Sequence, residues 1–180
     1  MDLRKQKTRQ SIRAAFLQLR QTNAPEQIAV KDLAQLAQIS KATFYLHYRD
    51  IYDLGEQLQL EAITELLCKI PDPMIVLDDF AGFMEQMVSA IAQDHAGISL
   101  LFSGPQMVFF PIRLETQLKK YIFDRKPELE KDDAFNVQLS YHIHGGYYAY
   151  MQHESNLGSS RVKDNIYGIY KSVSSLSRNK

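Results

Sequence analysis

Within the eleven residues Ser40-Lys41-Ala42-Thr43-Phe44-Tyr45-Leu46-His47-Tyr48-Arg49-Asp50 the chain concentrates two aliphatic hydroxyls, two phenols, an imidazole, a lysine and an arginine. Lysine is a point cation, threonine a small donor and acceptor, and tyrosine a flat ring with a polar tip. Such groups bind anionic oxygens and the edges of planar heterocycles, and here no nucleophile stands beside a base. Catalytic or metal-binding sets are equally hard to find elsewhere. His142 and His144 are two apart, so on a helix they point about 200° apart and cannot share a metal by themselves. The one cysteine, Cys68, has no Cys or His partner in pattern, and no glycine-rich phosphate loop occurs. The expectation is a binding protein, not an enzyme, with no cofactor and no metal.

Helical periodicity supplies the frame that must position those side chains. Ile12, Ala15, Phe16 and Leu19 recur at helix spacing, behind a start crowded with Arg4, Lys5, Lys7, Arg9 and Arg13. Asn23-Ala24-Pro25 ends this segment, because proline disfavours helix in the residue before it. A helix of about eight residues follows with Val30, Leu33, Ala34 and Ala37. Ser40 is suited to cap a third helix, over Lys41–Tyr48, by accepting from the N–H of residue 42 or 43. On that helix Phe44 and Tyr48 are four apart and share a face with Ile39 at the turn, so they should pack inward. Lys41, Tyr45 and His47 fall on other faces. Asp50 should cap a longer fourth helix carrying Leu54, Leu58, Ile63 and Leu67. Two short helices joined by Gln38-Ile39-Ser40 form a helix-turn-helix pattern, whose second helix enters the DNA major groove in such units.

The rest of the chain reads as helix too. Pro71-Asp72-Pro73 is the clearest break and the candidate domain boundary. Beyond it Phe80, Phe83, Met84, Met87, Val88 and Ile91 mark an amphipathic helix. A short helix near 98–102 should stop at Gly104-Pro105, and a longer one over 106–125 should bend at Pro111. Helices over 132–153 and 160–177 complete an all-α chain.

Composition bounds the class. The 180 residues are 45% hydrophobic and 23% charged, enough for a sizeable core. The longest apolar run, Met107–Ile112, is far short of the roughly 20 residues a spanning helix needs, so no membrane partner is expected. No charged segment leads into an apolar stretch as in a secretory signal. Cys68 reads as a small buried apolar residue, and a cytoplasmic location is expected. The net charge is zero, yet residues 1–50 hold nine Lys/Arg against four Asp/Glu, while 51–180 hold twelve against seventeen. A basic N-terminal fifty on an acidic remainder is the asymmetry expected when one end meets a polyanion.

The run Val30-Lys31-Asp32-Leu33-Ala34, then Ala37-Gln38-Ile39-Ser40-Lys41-Ala42-Thr43-Phe44-Tyr45, then Tyr48 and Asp50, resembles the DNA-binding domain of the tetracycline-repressor (TetR) family over about residues 8–60. Gln38 stands where that pattern has a glycine, Ala42 where it has another, and Ile51 where it has a phosphate-binding lysine. The resemblance implies a homodimeric repressor of double-stranded DNA. Its DNA contacts would be Lys31, Ser40, Lys41, Thr43, Tyr45 and His47, with Arg49 holding the phosphate that an isoleucine at position 51 cannot bind. It divides the chain into a helix-turn-helix head (1–50), a connecting helix (51–70) and a helical ligand-binding and dimerisation domain (71–180).

Within that last domain a small apolar or aromatic effector would lie among Phe83, Met87, Phe102, Met107 and Phe110, although the simpler reading of most of them is plain core. The resemblance places dimer contacts on the last two helices, where Ile143, Gly146, Tyr147, Tyr150, Ile166, Ile169 and Val173 form stripes. Gly145-Gly146 inside a helix costs about 1 kcal/mol per glycine against alanine, which a close crossing between two copies would justify. The alternatives are a tight crossing within one chain and, for the protein as a whole, an adaptor whose acidic body binds a protein partner.

Overall fold

A computed structural model describes residues 3–93 and 95–177, without the side chains of 92, 95, 96, 154, 159 and 173–177. Among the described residues there are nine α-helices and no strand: α1 (Leu3–Arg20), α2 (Val30–Leu36), α3 (Lys41–Tyr45), α4 (Ile51–Cys68), α5 (Phe80–Gln93), α6 (His95–Leu101), α7 (Phe109–Phe123), α8 (Asp133–Leu157) and α9 (Ser159–Ser177). None of these is long and apolar enough to cross a membrane. The described chain packs as two compact units, residues 3–62 with 95–107, and residues 63–93 with 108–177.

The first unit is built on apolar residues that the helical period brings to common faces. Ile12, Ala15 and Phe16 of α1 are buried, with Leu33 and Ala34 of α2, Phe44 of α3, and Leu54 and Leu58 of α4. The capping is local. The Ser40 hydroxyl accepts from Thr43 N at 3.0 Å to start α3, and Asp50 Oδ1 accepts from Asp53 N at 2.8 Å to start α4. The Asp53 carboxylate reaches back to Arg49 N at 2.8 Å. That backbone hydrogen bond is the main reason the Asp53 carboxyl titrates below its usual range.

Residues 95–107 belong to this unit because two polar side chains hold them. Arg20, only 8% exposed, donates to Asn23 O (2.7 Å), to Leu100 O (3.0 Å) and to Ser103 Oγ (2.8 Å). Gln59, also buried, donates to Leu101 O at 3.0 Å. Ile98, Leu101 and Phe102 are buried with them. A guanidinium taken out of water must find acceptors. Here two of the three lie about eighty residues away in sequence. Arg20→Met should therefore destabilise the first unit by about 2–3 kcal/mol, since it removes three charge-assisted hydrogen bonds to partly buried acceptors while keeping the apolar stem. Denaturant unfolding, with hydrogen exchange at residues 95–107, checks this. Unchanged stability would show that water replaces the guanidinium there.

In the second unit the long helices are set by proline and glycine. Pro111 lies in the first turn of α7, where a missing N–H has no intrahelical acceptor to forgo. The helix begins at Phe109, two residues before the proline and later than the 106 expected from sequence. Gly158, at φ +79°, alone separates α8 from α9 in a conformation other residues reach only under strain. Cys68, expected to be buried, is exposed on the last turn of α4 while Leu66 and Leu67 face the core.

The core joins α5, α8 and α9 around His142. Its ring, 2% exposed, stacks on Phe80 (centroids 4.6 Å) and meets the Tyr170 ring edge-on (5.2 Å). The Tyr170 hydroxyl donates to the His142 carbonyl at 2.7 Å, and burial raises its pKa far above the ordinary value. To reach that carbonyl the hydroxyl passes over Gly146, where any Cβ would overlap it. Gly146, expected at a seam between copies, is thus explained by the α8–α9 crossing inside one chain.

His142 Nδ1 is buried without a hydrogen-bond partner, and desolvation lowers the pKa of the ring. The folded state therefore holds this histidine neutral, whereas the unfolded chain protonates near pH 6.5. The stability it allows is complete above that value and falls as pH drops through it, by at most about 1.4 kcal/mol per pH unit. Between pH 7.5 and 5 the wild type should lose more stability than His142→Gln, as read by urea midpoints. Parallel pH profiles would refute the neutral assignment.

Candidate nucleic-acid interface

The α2–α3 turn fixes which side chains of α3 reach solvent. Ile39 N donates to Ala34 O (2.9 Å) and Gln38 N to Gln35 O (3.1 Å), the paired bonds of a helix end that requires a left-handed residue between them. Gln38 occupies that position at φ +56°. The Ser40 cap then launches α3, and the 2.8 Å contact between the Ser40 and Thr43 hydroxyls ties both to the helix start. The helix is shorter than the expected Lys41–Tyr48. It ends at Tyr45, although Leu46 keeps helical φ and ψ and bonds to Ala42 O.

The faces sort as the spacing requires. Phe44 and Tyr48 are buried with ring centroids 5.7 Å apart. Lys41 and Ala42 are exposed, Tyr45 is 56% exposed and Leu46 83% exposed. Thr43 and His47 are half-buried at the margin, and Lys31 is exposed on α2. Lys31, Lys41, Tyr45 and Arg49 thus present outward, while Ser40 and Thr43 are partly spent on the cap. Leu46 escaped the sequence reading, although placing Phe44 and Tyr48 inward necessarily turns residue 46 outward.

The cations near α3 are fewer than the charge count suggests. Arg9 forms an ion pair with Glu61 and hydrogen-bonds the Tyr48 hydroxyl, so it fastens α1 to α4. Burial raises the pKa of that hydroxyl despite the arginine beside it. Arg49 is exposed but leans on Asp53, with the guanidinium 3.4 Å from Oδ1. Ile51 is 5% exposed and part of the core.

The other expected sites are redistributed. Phe102 and Met107 belong to the first unit, and Phe83, Met87 and Phe110 to the second. Phe83 and Met87 are fully packed, which fits their reading as core and not as a lining. The second unit instead carries an open cleft of about 600 Å³ lined by both polar and apolar groups, among them Lys69, Asp72, Met74, Gln86, Ser89 and Lys126. A polar cluster lies between α7 and α8. Glu115 accepts from Ser140 Oγ (2.6 Å) and Lys119 Nζ (2.6 Å) and contacts His144 Nε2 at 2.8 Å. Burial pushes the Glu115 carboxyl up, but those bonds outweigh it and hold it below its usual range. Among the described residues no group of three or more His, Cys, Asp or Glu could hold a metal.

Of the residues expected between copies, Ile143 is buried in its own unit, and Tyr147 is half-buried with its ring stacked on Phe110 at 5.6 Å. Tyr150 and Ile166 are half-buried, Ile169 is exposed, and the Val173 side chain lies outside the described residues. The outward stripe of α8 is different: Val137, Tyr141, Gly145 and Tyr148 are exposed at i, i+4, i+8 and i+11.

No family model, no curated protein and no solved structure matches this chain.

The left-handed Gln38 makes a direct test of the turn. A non-glycine residue there costs roughly 1–2 kcal/mol, of which glycine's greater unfolded freedom returns part. Gln38→Gly should therefore stabilise the protein by about 1 kcal/mol, raising the urea midpoint with an unchanged slope. A lower midpoint would mean that the glutamine side chain compensates its own strain.

Proposed function

We propose that the protein is a DNA-binding transcriptional regulator of TetR type, a homodimeric repressor that binds a pseudo-palindromic operator. The observation that carries this reading is the sorting of α3. One face, Phe44 and Tyr48, is spent on the core, and Lys41, Ala42, Tyr45 and Leu46 are left open, with Lys31 and Arg49 exposed on the same unit. A one-turn helix exposed in this way, on a unit whose first fifty residues carry an excess of five positive charges, suits insertion in a major groove with phosphates held at its edges. In a two-fold dimer the half-site centres lie about 34–36 Å apart, or a multiple of that.

Dimerisation is assigned to the exposed α8 stripe of Val137, Tyr141, Gly145 and Tyr148, with Ile169 of α9. A Cβ at Gly145 would meet nothing within 4 Å, so the backbone there is open to close approach by a second copy. Effector binding is assigned to the cleft of the second unit in preference to packed Phe83 and Met87. An effector would release DNA by binding the DNA-incompetent state more tightly.

Selection of bound fragments from random duplex DNA at moderate salt tests the reading, with an enriched pseudo-palindrome as the expected result. On the selected duplex, Lys41→Ala and Tyr45→Ala should each weaken binding by about 1–3 kcal/mol without shifting the melting temperature. Sequence-blind, salt-sensitive retention would overturn it.

A further inference from the structure

The outward face of α3 is poor in the groups that discriminate bases by paired hydrogen bonds. Guanine is read mostly by arginine or lysine, and adenine by asparagine or glutamine. The exposed positions Lys41, Ala42, Tyr45 and Leu46 fall at i, i+1, i+4 and i+5, one contiguous face of a helix. That face offers one ammonium, one methyl, one phenol and one isobutyl group. Leu46 is the most exposed of all the large apolar side chains described. A single exposed leucine is ordinary on a protein surface. Here it stands next to a 56% exposed tyrosine, on the residues that follow the Ser40 cap, with the exposed Lys41 ammonium on the same face.

In the major groove the one apolar group a base pair offers is the C5 methyl of thymine. We infer that this head recognises its operator through thymine methyl groups, with Leu46 as the specificity-determining residue and the Tyr45 ring beside it. This rests on the DNA-reading function proposed above and narrows it. The half-site should contain an obligatory thymine opposite Leu46. Lys41 would hold a phosphate or a guanine edge, which fixes the register of the apolar pair. Leu46 has no packing role in the head itself, since its side chain is open to solvent.

The test removes one methyl at a time. In the selected duplex, each thymine of the half-site is replaced singly by deoxyuridine, which keeps pairing and every hydrogen-bonding edge. The wild-type full-length protein should bind about fourfold more weakly at one or two such positions, the scale of one buried methyl. Leu46→Ala, with its melting temperature checked, should bind thymine and deoxyuridine duplexes equally at the position it reads. If no thymine is sensitive to the replacement, or if Leu46→Ala leaves the sensitivity unchanged, the inference is overturned while the DNA-reading function stands. If no sequence is enriched at all, both fall together.

Discussion

The first unit depends on one buried cation. Arg20 sits at the end of α1 with its guanidinium out of water, and the fold must supply the acceptors that water no longer can. It does so with Asn23 O from the adjoining turn and with Leu100 O and Ser103 Oγ from a segment far along the chain. Breaking such an arrangement costs more than a surface pair would, because the acceptors it leaves are only partly open to water. The requirement therefore acts as a specification: residues 95–107 must return to this unit. Gln59 repeats the device one helix away, donating to Leu101 O. Apolar contacts of Ile98, Leu101 and Phe102 add area, but contacts of that kind tolerate sliding, whereas directional hydrogen bonds to named carbonyls do not.

The second unit solves a related problem with a hydroxyl. Tyr170 buries an aromatic ring whose oxygen still needs a partner. The partner is a helical carbonyl, that of His142, already within reach of the amide of its own helix and able to accept a second bond. Access to it requires that residue 146 have no side chain. A glycine that weakens α8 as an isolated helix thus strengthens α8 against α9, and the same contact brings the Tyr170 ring against the buried imidazole of His142. Helix propensity is overruled here by a single hydrogen bond and the packing it permits.

These two devices mark the boundary of what sequence alone makes readable. The caps at Ser40 and Asp50, the inward turn of Phe44 and Tyr48 and the all-α character follow from near-neighbour chemistry with a range of three or four residues. Spacing alone reveals such relations. Arg20 and Ser103 are related only through the fold, so neither the assignment of 95–107 nor the division of the chain at Ala62 is visible in spacing. Gly146 is legible as an anomaly but not as an answer, since a glycine signals close approach without naming what approaches. Cys68 misleads differently. It is read by residue type, and the face of the helix it occupies decides.

The candidate interface carries the same lesson into function. A charge count gives the N-terminal fifty residues a strongly basic character, yet Arg20 is buried, Arg9 is paired with Glu61 and Tyr48, and Arg49 leans on Asp53. Position 51, where a phosphate-binding lysine would be expected, faces the core. Charge that stabilises the head is not available to a polyanion at the same strength, because a cation already paired must exchange one partner for another. Under the proposed function, a head built this way would draw less of its affinity from counterion release and correspondingly more from contacts inside the groove, which reward shape and composition instead of charge. The open face of α3, with Tyr45 and Leu46 uncovered, is of the composition that such a balance demands.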